Sequence, residues 1–207
     1  NTLKEILPEE CGELHTYQHM LSTYLPAWHP HEKGNFYAYA KNTFAAREMV
    51  VFELNWLTHL FGYVDSCLGV IDRTGALEAE GDDRYQIQMK LRNGSAGQLT
   101  VVAGSPAQYR VGVCAGAKGL VRFDIVTGEV VVYNATKGTK TLTNPDSSFL
   151  LKEGYRNELF TFIRTVRGED QWPRTYLDMA KISAVLGAAE QSLASKRWES
   201  VDQTRQP

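Results

Sequence analysis

No apolar run in the 207 residues approaches the roughly 20 needed to span a bilayer. Charge of either sign is in short supply as a net quantity. Lys and Arg total 22 against 24 Asp and Glu, which leaves −2 at neutral pH. That balance gives no electrostatic case for nucleic acid or for an anionic membrane. Cysteine is scarce: Cys11, Cys67 and Cys114 are an odd number, widely spaced and set among apolar neighbours. They read as buried free thiols of a reducing compartment, and cytoplasm is the expectation. No Cys/His pair has ligand spacing, so no metal is expected. Asn1-Thr-Leu-Lys-Glu has neither a charged-then-apolar leader layout nor an initiator Met, which reads as a processed chain or a fragment. A glycine fingerprint for nucleotide phosphate is missing as well. Gly112, Gly116 and Gly119 lie in strand context without the strand-to-helix turn that a phosphate needs. The serines lack elbow glycines, and none of the five histidines sits in a familiar hydrolase motif.

The residues that are present, 43% hydrophobic and 22% charged, suffice for a sizeable core. Residues 2–10 form a short helix interrupted by Pro8. From Gly12, the run Leu14, Tyr17 or Gln18, Met20, Ser22 and Tyr24 alternates as a long strand. Pro26-Ala-Trp-His-Pro-His-Glu-Lys-Gly34 is a loop carrying Trp28, His29, His31 and Glu32, either a packed aromatic corner or a binding loop. From Cys67 to Tyr133 the texture is short strands. Tyr85, Ile87, Met89 and Leu91 alternate with Gln86, Gln88 and Lys90, and Gly/Asn/Asp turns join the segments as an antiparallel meander. The last third is helical. Asn144-Pro-Asp-Ser-Ser148 offers a cap, Tyr155, Leu159, Phe162, Ile163 and Val166 recur at helical spacing, and Gly168 ends that helix. Thr175 and Asp178 form a capping box for a second helix with Met179, Ile182, Leu186, Ala189 and Leu193 on one stripe. Residues 200–207 read as a frayed tail. No repeat or linker divides the chain, so the expectation is a single α+β domain over residues 1–207.

The candidate chemistry lies in Arg47-Glu-Met-Val-Val-Phe-Glu-Leu-Asn-Trp-Leu-Thr-His-Leu-Phe-Gly62, a helix apolar on most sides and expected between layers. Glu48, Asn55 and His59 fall on one stripe of it, with Phe52 between them. Each taken alone has an ordinary reading: His59 as a satisfied core or interface histidine, and Glu48 as an ion pair with Arg47 at a helix start. Together with Trp28, His31 and Glu32 they offer an aromatic wall and several hydroxyl-binding groups, which suit a sugar or polyol.

The closing stretch Tyr155-Arg-Asn-Glu-Leu-Phe-Thr-Phe-Ile-Arg-Thr-Val-Arg-Gly-Glu-Asp-Gln-Trp-Pro173, followed by Leu186-Gly-Ala-Ala-Glu-Gln-Ser-Leu-Ala-Ser-Lys-Arg197, resembles the last helices of the glucose–fructose oxidoreductase / inositol dehydrogenase (Gfo/Idh/MocA) family. The strand from Gly12-Glu-Leu, the Leu25-Pro-Ala-Trp-His-Pro loop, the central helix and the meander follow in that family's order. The resemblance covers the chain but only the C-terminal half of the family. Members begin with a Rossmann domain bearing a glycine-rich loop and a Glu-Lys-Pro motif with the catalytic lysine, and residues 1–10 resemble the segment just after it.

The resemblance implies a substrate-binding and oligomerisation domain. Its large, mostly antiparallel sheet has helices on one face, and its open face pairs subunits into homodimers or homotetramers. NAD or NADP would bind in the other domain, and the ligand would be a small sugar, cyclitol or polyol. The family's central helix follows a Gly-Gly-Gly run and bears Asp, then His four residues on, then often Asp. These assist the lysine in proton transfer while hydride passes to nicotinamide. Two registers compete here. Alignment on Gly62 puts Glu48, Phe52 and Asn55 at those positions; alignment on the Asp-to-His spacing gives Asn55 and His59. The first needs no gap and leaves Phe at the histidine position, while Ala45-Ala-Arg47 departs from the glycine run. Glu48 and His59 are therefore the candidate catalytic residues, with Asn55, Arg47, Trp28 and His31 as substrate contacts. The alternative is a stand-alone, non-catalytic dimerisation or ligand-binding module derived from that family.

Overall fold

The computed structural model describes residues 2–28, 30–32, 36–40, 45–143 and 147–201. The N-terminal segment is one turn of helix α1 (Thr2–Ile6) that widens into a π-turn over Leu7–Cys11, with Pro8 in its first positions. The expected long strand follows as β1 (Leu14–Tyr24). Past the loop comes the central helix α2 (Ala45–Phe61). A meander of β2 (Val64–Asp72), β3 (Arg84–Leu91) and β4 (Ala96–Val102) leads to a second meander of β5 (Gly104–Gly116), β6 (Gly119–Asp124), β7 (Glu129–Asn134) and β8 (Gly138–Thr143). Helices α3 (Ser147–Val166) and α4 (Tyr176–Ser195) close the chain, with the two-residue strand β9 (Glu199–Ser200).

The strands build one nine-stranded sheet in the order β8-β7-β6-β5-β1-β4-β3-β2-β9. The meander expectation therefore holds in two pieces, with β1 inserted between them. β1 runs antiparallel to β5 and parallel to β4, the parallel pair of an otherwise antiparallel sheet. Tyr85, Ile87, Met89 and Leu91 turn inward as their alternation requires. In β1 the inward set is Tyr17 and His19, and the run Gln18, Met20 faces away, so Tyr17 resolves the Tyr17-or-Gln18 ambiguity. Two strands were not legible as such. β8 consists of Gly, Thr and Lys around a single Leu142. β9 occupies Glu199–Ser200, where the tail was expected to fray. Its bridges to Ser66 and Cys67 hold it, and Val201 behind it is buried and donates its amide to the Asp65 carbonyl.

One face of the sheet carries the helices. α2 lies over the centre, with Ala46, Met49, Val50, Leu54, Leu57 and Phe61 turned into the core. Tyr17 stacks on Phe61 at 4.3 Å. α4 packs on β2 through Ile182, Val185, Leu186 and Ala189. The approach is close enough that a Cβ on Gly69 would stand 2.8 Å from the Ala189 carbonyl oxygen, and only glycine permits it. Cys11, Cys67 and Cys114 are free and buried. Burial pushes the Cys67 thiol up to about 12.

α4 begins as its sequence requires: Thr175 caps Asp178 and Asp178 returns the bond, a complete capping box. Tyr63 also donates to Asp178 at 2.5 Å, and with Thr175 it holds this carboxyl well below the usual range. Replacing Thr175 with alanine is expected to cost about 1 kcal/mol. In a protein of this size that is a melting-temperature drop of about 2–4 °C, measurable by calorimetry. The cap expected at Asn144-Pro-Asp lies outside the described residues, as do His29 and residues 202–207. No helix among the described residues is long and apolar enough to cross a membrane.

Candidate functional site

α2 is not sandwiched between layers. Its apolar stripe faces the sheet, and the Glu48, Asn55, His59 stripe faces away from it, with Phe52 standing 58% exposed among them. The three polar residues thus share one face, as their spacing requires. Glu48 accepts a 2.9 Å bond from the Tyr37 hydroxyl, and that bond raises the phenol's pKa. Tyr37 in turn lines a cleft of about 660 Å³ together with Phe36, Tyr39, Arg73, Glu78 and Glu80. The carboxylate therefore stands beside an aromatic-walled pocket that also holds a guanidinium and two further carboxylates. That content matches the mixture of flat apolar and hydrogen-bonding surface on which a polyhydroxylated ligand binds.

The other end of the stripe is polar and crowded. Arg174 donates to the Asn55 carbonyl, and the Asn55 side-chain oxygen is buried without a partner among the described residues. His59 is exposed, yet partial desolvation first, and then the charges of Arg174 and Lys4, hold its pKa below the ordinary value. The neutral imidazole is thereby favoured, the form able to accept a proton.

The remaining expected contacts divide. Arg47 does not pair with Glu48; it reaches across to Glu190 of α4 at 2.6 Å and ties the two helices together. Trp28 is 49% exposed, and its indole N–H is anchored on Thr23 at 2.9 Å. His31 is exposed. Neither Trp28 nor His31 hydrogen-bonds to α2 among the described residues.

The most elaborate polar cluster was not expected. Glu53 on α2 is buried, although its sequence neighbours gave it no distinction. Its carboxylate accepts from His19 Nε2 at 2.7 Å, from Trp56 Nε1 at 2.8 Å and from Arg110 at 2.8 Å. Burial alone would raise the Glu53 carboxyl; the His19 bond, the Arg110 charge and the Trp56 donor outweigh it and hold it below its ordinary value. The group links α2 to β1 and β5 from inside the core. The alternation of His19 with Gln18 and Met20 was the available signal, since it puts His19 on the helix-facing side of β1. Among the described residues no cluster of His, Cys, Asp and Glu has the makeup of a metal site.

This architecture recurs in solved oxidoreductases. Levoglucosan dehydrogenase, solved with NADH and levoglucosan, superimposes with a TM-score of 0.79 at 14% identity, over 97% of this chain and 63% of its own. An oxidoreductase of Agrobacterium radiobacter, solved with NAD+, L-tartaric acid and magnesium, gives 0.75 at 16% identity, over 97% of this chain and 60% of its own. An oxidoreductase domain protein of Kribbella flavida gives 0.75 at 13%, over 97% and 62%. The chain has the Gfo/Idh/MocA C-terminal-domain fold. No family model matches the sequence, and no curated protein matches it either. At these identities the Gfo/Idh/MocA likeness is one of fold, and the chain spans about three fifths of the length of the proteins it matches.

Proposed function

We propose that this chain is the substrate-binding and oligomerisation domain of an NAD(P)-dependent oxidoreductase acting on a sugar, cyclitol or polyol. The observation that carries the reading is the Glu48 carboxylate, bonded to Tyr37, which lines an aromatic-walled cleft in this fold. In this reading Glu48 binds or deprotonates a substrate hydroxyl, and His59 is the second proton-handling group, kept neutral by its surroundings. Asn55 presents its side chain on the same stripe, and Trp28 and His31 contact the ligand from the loop side. Arg47 acts through the helix pair it holds. The nicotinamide cofactor, NAD or NADP, supplies the hydride acceptor from a separate domain. Support for that division comes from the missing glycine loop and from the NADH and NAD+ complexes of the matched structures.

The face of the sheet opposite the helices supports subunit pairing into a dimer or tetramer. Val70, Tyr109 and Tyr133 stand exposed there beside Met20 and the glutamines of β3 and β4. A hollow of about 350 Å³ between Gln18, Gln98, Tyr109 and Arg122 gives the face relief.

Saturation-transfer NMR on residues 1–207 is expected to detect levoglucosan or L-sorbose. Glu48→Gln should weaken that binding about tenfold or more, since it removes a charged hydrogen-bond acceptor. NADH should not bind. A micromolar NADH complex with residues 1–207 would sink the reading. One observation favours the non-catalytic module: Phe52, at the position where the family has histidine, offers no proton relay. In that case Glu48→Gln still weakens sugar binding, and the protein translated from the whole reading frame shows no turnover.

A further inference from the structure

Two of the three buried thiols meet. Cys11 ends the N-terminal π-turn, and Cys114 lies near the end of β5. They are far apart in the chain, yet β6 holds both sulfurs. Cys11 Sγ donates to the Gly119 carbonyl at 3.5 Å, and Cys114 Sγ donates to the Val121 carbonyl at 3.5 Å, two residues along the same strand. Gly116 settles how they stand to each other. It follows Cys114 by two residues, so the side chain it lacks would point to the same face of β5 as Cys114. A Cβ there would lie 2.9 Å from Cys11 Sγ. The Cys11 sulfur therefore fills the place of that missing side chain, in the position next to Cys114. Burial raises both thiols, and the neighbouring sulfur is the next influence on each. Cys67 shares none of this. It donates to the Val185 carbonyl from β2, four strands over from β5, which is roughly 19 Å at ordinary strand spacing.

We propose that Cys11 and Cys114 are a redox-modification site, a thiol pair that a hydroperoxide closes into a reversible disulfide when the N-terminal turn opens. The turn is clasped to the sheet by polar groups. Glu10 accepts from Lys140 at 2.5 Å and from Asn134 at 3.1 Å, and Glu9 accepts from Lys137 at 2.6 Å. The Lys118 amide donates to the Cys11 carbonyl at 2.9 Å. While the clasp is closed, both thiols are 1% exposed, protonated and out of reach of an oxidant. Lys137 and Lys140 are half-exposed, so opening the turn returns their charges to water and strands none of them. It carries out Cys11, on the moving element, and leaves Cys114 in the sheet. The freed Cys11 thiolate attacks a peroxide oxygen. The O–O bond breaks, Cys11 becomes a sulfenic acid, and an alcohol or water leaves. When the turn recloses, the Cys114 sulfur attacks the Cys11 sulfur. The S–S bond forms, the S–O bond breaks, and hydroxide departs with the Cys114 proton as water. The pair loses two electrons and the peroxide gains them. A bond of about 2 Å then ties the turn to β5 across a loop of about 100 residues.

The test treats residues 1–207 with hydrogen peroxide, quenches with catalase, and alkylates in guanidinium with N-ethylmaleimide for mass spectrometry. The three free cysteines of untreated protein all take the label. After peroxide only Cys67 should take it. A cross-linked peptide should join Cys11 to Cys114, and dithiothreitol should restore the other two labels. Cys114→Ser should stop at a Cys11 sulfenic acid that dimedone traps. Glu10→Gln loosens the clasp and should speed disulfide formation about fivefold. Lys140→Gln should do the same, and it serves as the reading if Glu10→Gln does not fold. The oxidised protein should melt about 5 °C or more above the reduced one, because the disulfide closes a long loop. Full labelling after peroxide, or a disulfide that includes Cys67, overturns the site. Oxidation at the parent rate in both clasp variants overturns the gating by the turn. An oxidised protein that melts no higher than the reduced one overturns the tether.

Discussion

Glu53→Ala is expected to lower the melting temperature by about 6–12 °C. The substitution strands His19, whose side chain is fully buried, and removes the counter-charge of Arg110. Breaking a buried pair by deleting one partner costs about 3–5 kcal/mol. Arg110 is 34% exposed and regains some water, which places the expected cost near the low end, about 3 kcal/mol. A domain of this size loses about 2–4 °C per kcal/mol. Glu53→Gln keeps the shape and one acceptor, so it should fall between. The pH dependence has a definite sign. The folded-state pKa of Glu53 lies below its ordinary value of 4.5, so the stabilisation is present above that pH and is lost as the pH falls through the folded pKa. Glu53→Gln should therefore flatten the acid limb of a melting-temperature profile. A Glu53→Ala protein melting within a degree or two of the parent sinks this account of the cluster.

The second large effect comes from Gly112, opposite His19 on β5. An added Cβ there would stand 2.2 Å from the Phe123 ring, with other ring atoms at 2.7 and 2.9 Å. Phe123 has nowhere to retreat. Its ring lies against His19 at 6.0 Å and Trp56 at 5.9 Å, and it is buried. Overpacking of this kind costs about 1–3 kcal/mol. The Gly112→Ala protein should melt about 2–12 °C lower, and pairing it with Phe123→Leu should recover part of that loss. If Gly112→Ala alone melts like the parent, the ring and the strand are not packed as described.

Both sites show where the sequence was readable and where it was not. The alternation of Tyr85, Ile87, Met89 and Leu91, the Thr175–Asp178 box and the shared face of Glu48, Asn55 and His59 are local regularities. A strand of period two, a cap and a helix of period 3.6 report themselves within a dozen residues. Glu53, His19 and Arg110 lie on three elements far apart in the chain, and no window of sequence contains two of them. Gly112 was legible only as a glycine in a strand; the ring that requires it arrives on the next strand. The Arg47–Glu48 ion pair was misplaced for a related reason. Arg47's sequence neighbour Glu48 was the nearest carboxylate, but on a helix adjacent residues point about 100° apart, and Glu190 on α4 was the one within reach. α3 was legible as a helix, and the exposure of its Tyr155, Leu159, Phe162 and Val166 was not, because a pattern states that a face wants burial without stating what buries it.

The insertion of β1 between the two meanders governs how this protein is made. Tyr17 pairs on one side with Gly97 and on the other with Cys114, so the first strand of this sheet waits for both of its neighbours. At about 5–20 residues per second, that wait on a ribosome is on the order of ten seconds. The strands after α2 can zip as successive hairpins while β1 remains an edge with no sheet to join. Closing two long loops at once makes this the slow event of folding, because the entropy of closure is spent before the ladder repays it. Without β1 the sheet order falls into two half-sheets, and the buried Glu53 cluster needs both His19 from β1 and Arg110 from β5, so it cannot form before β1 is in place.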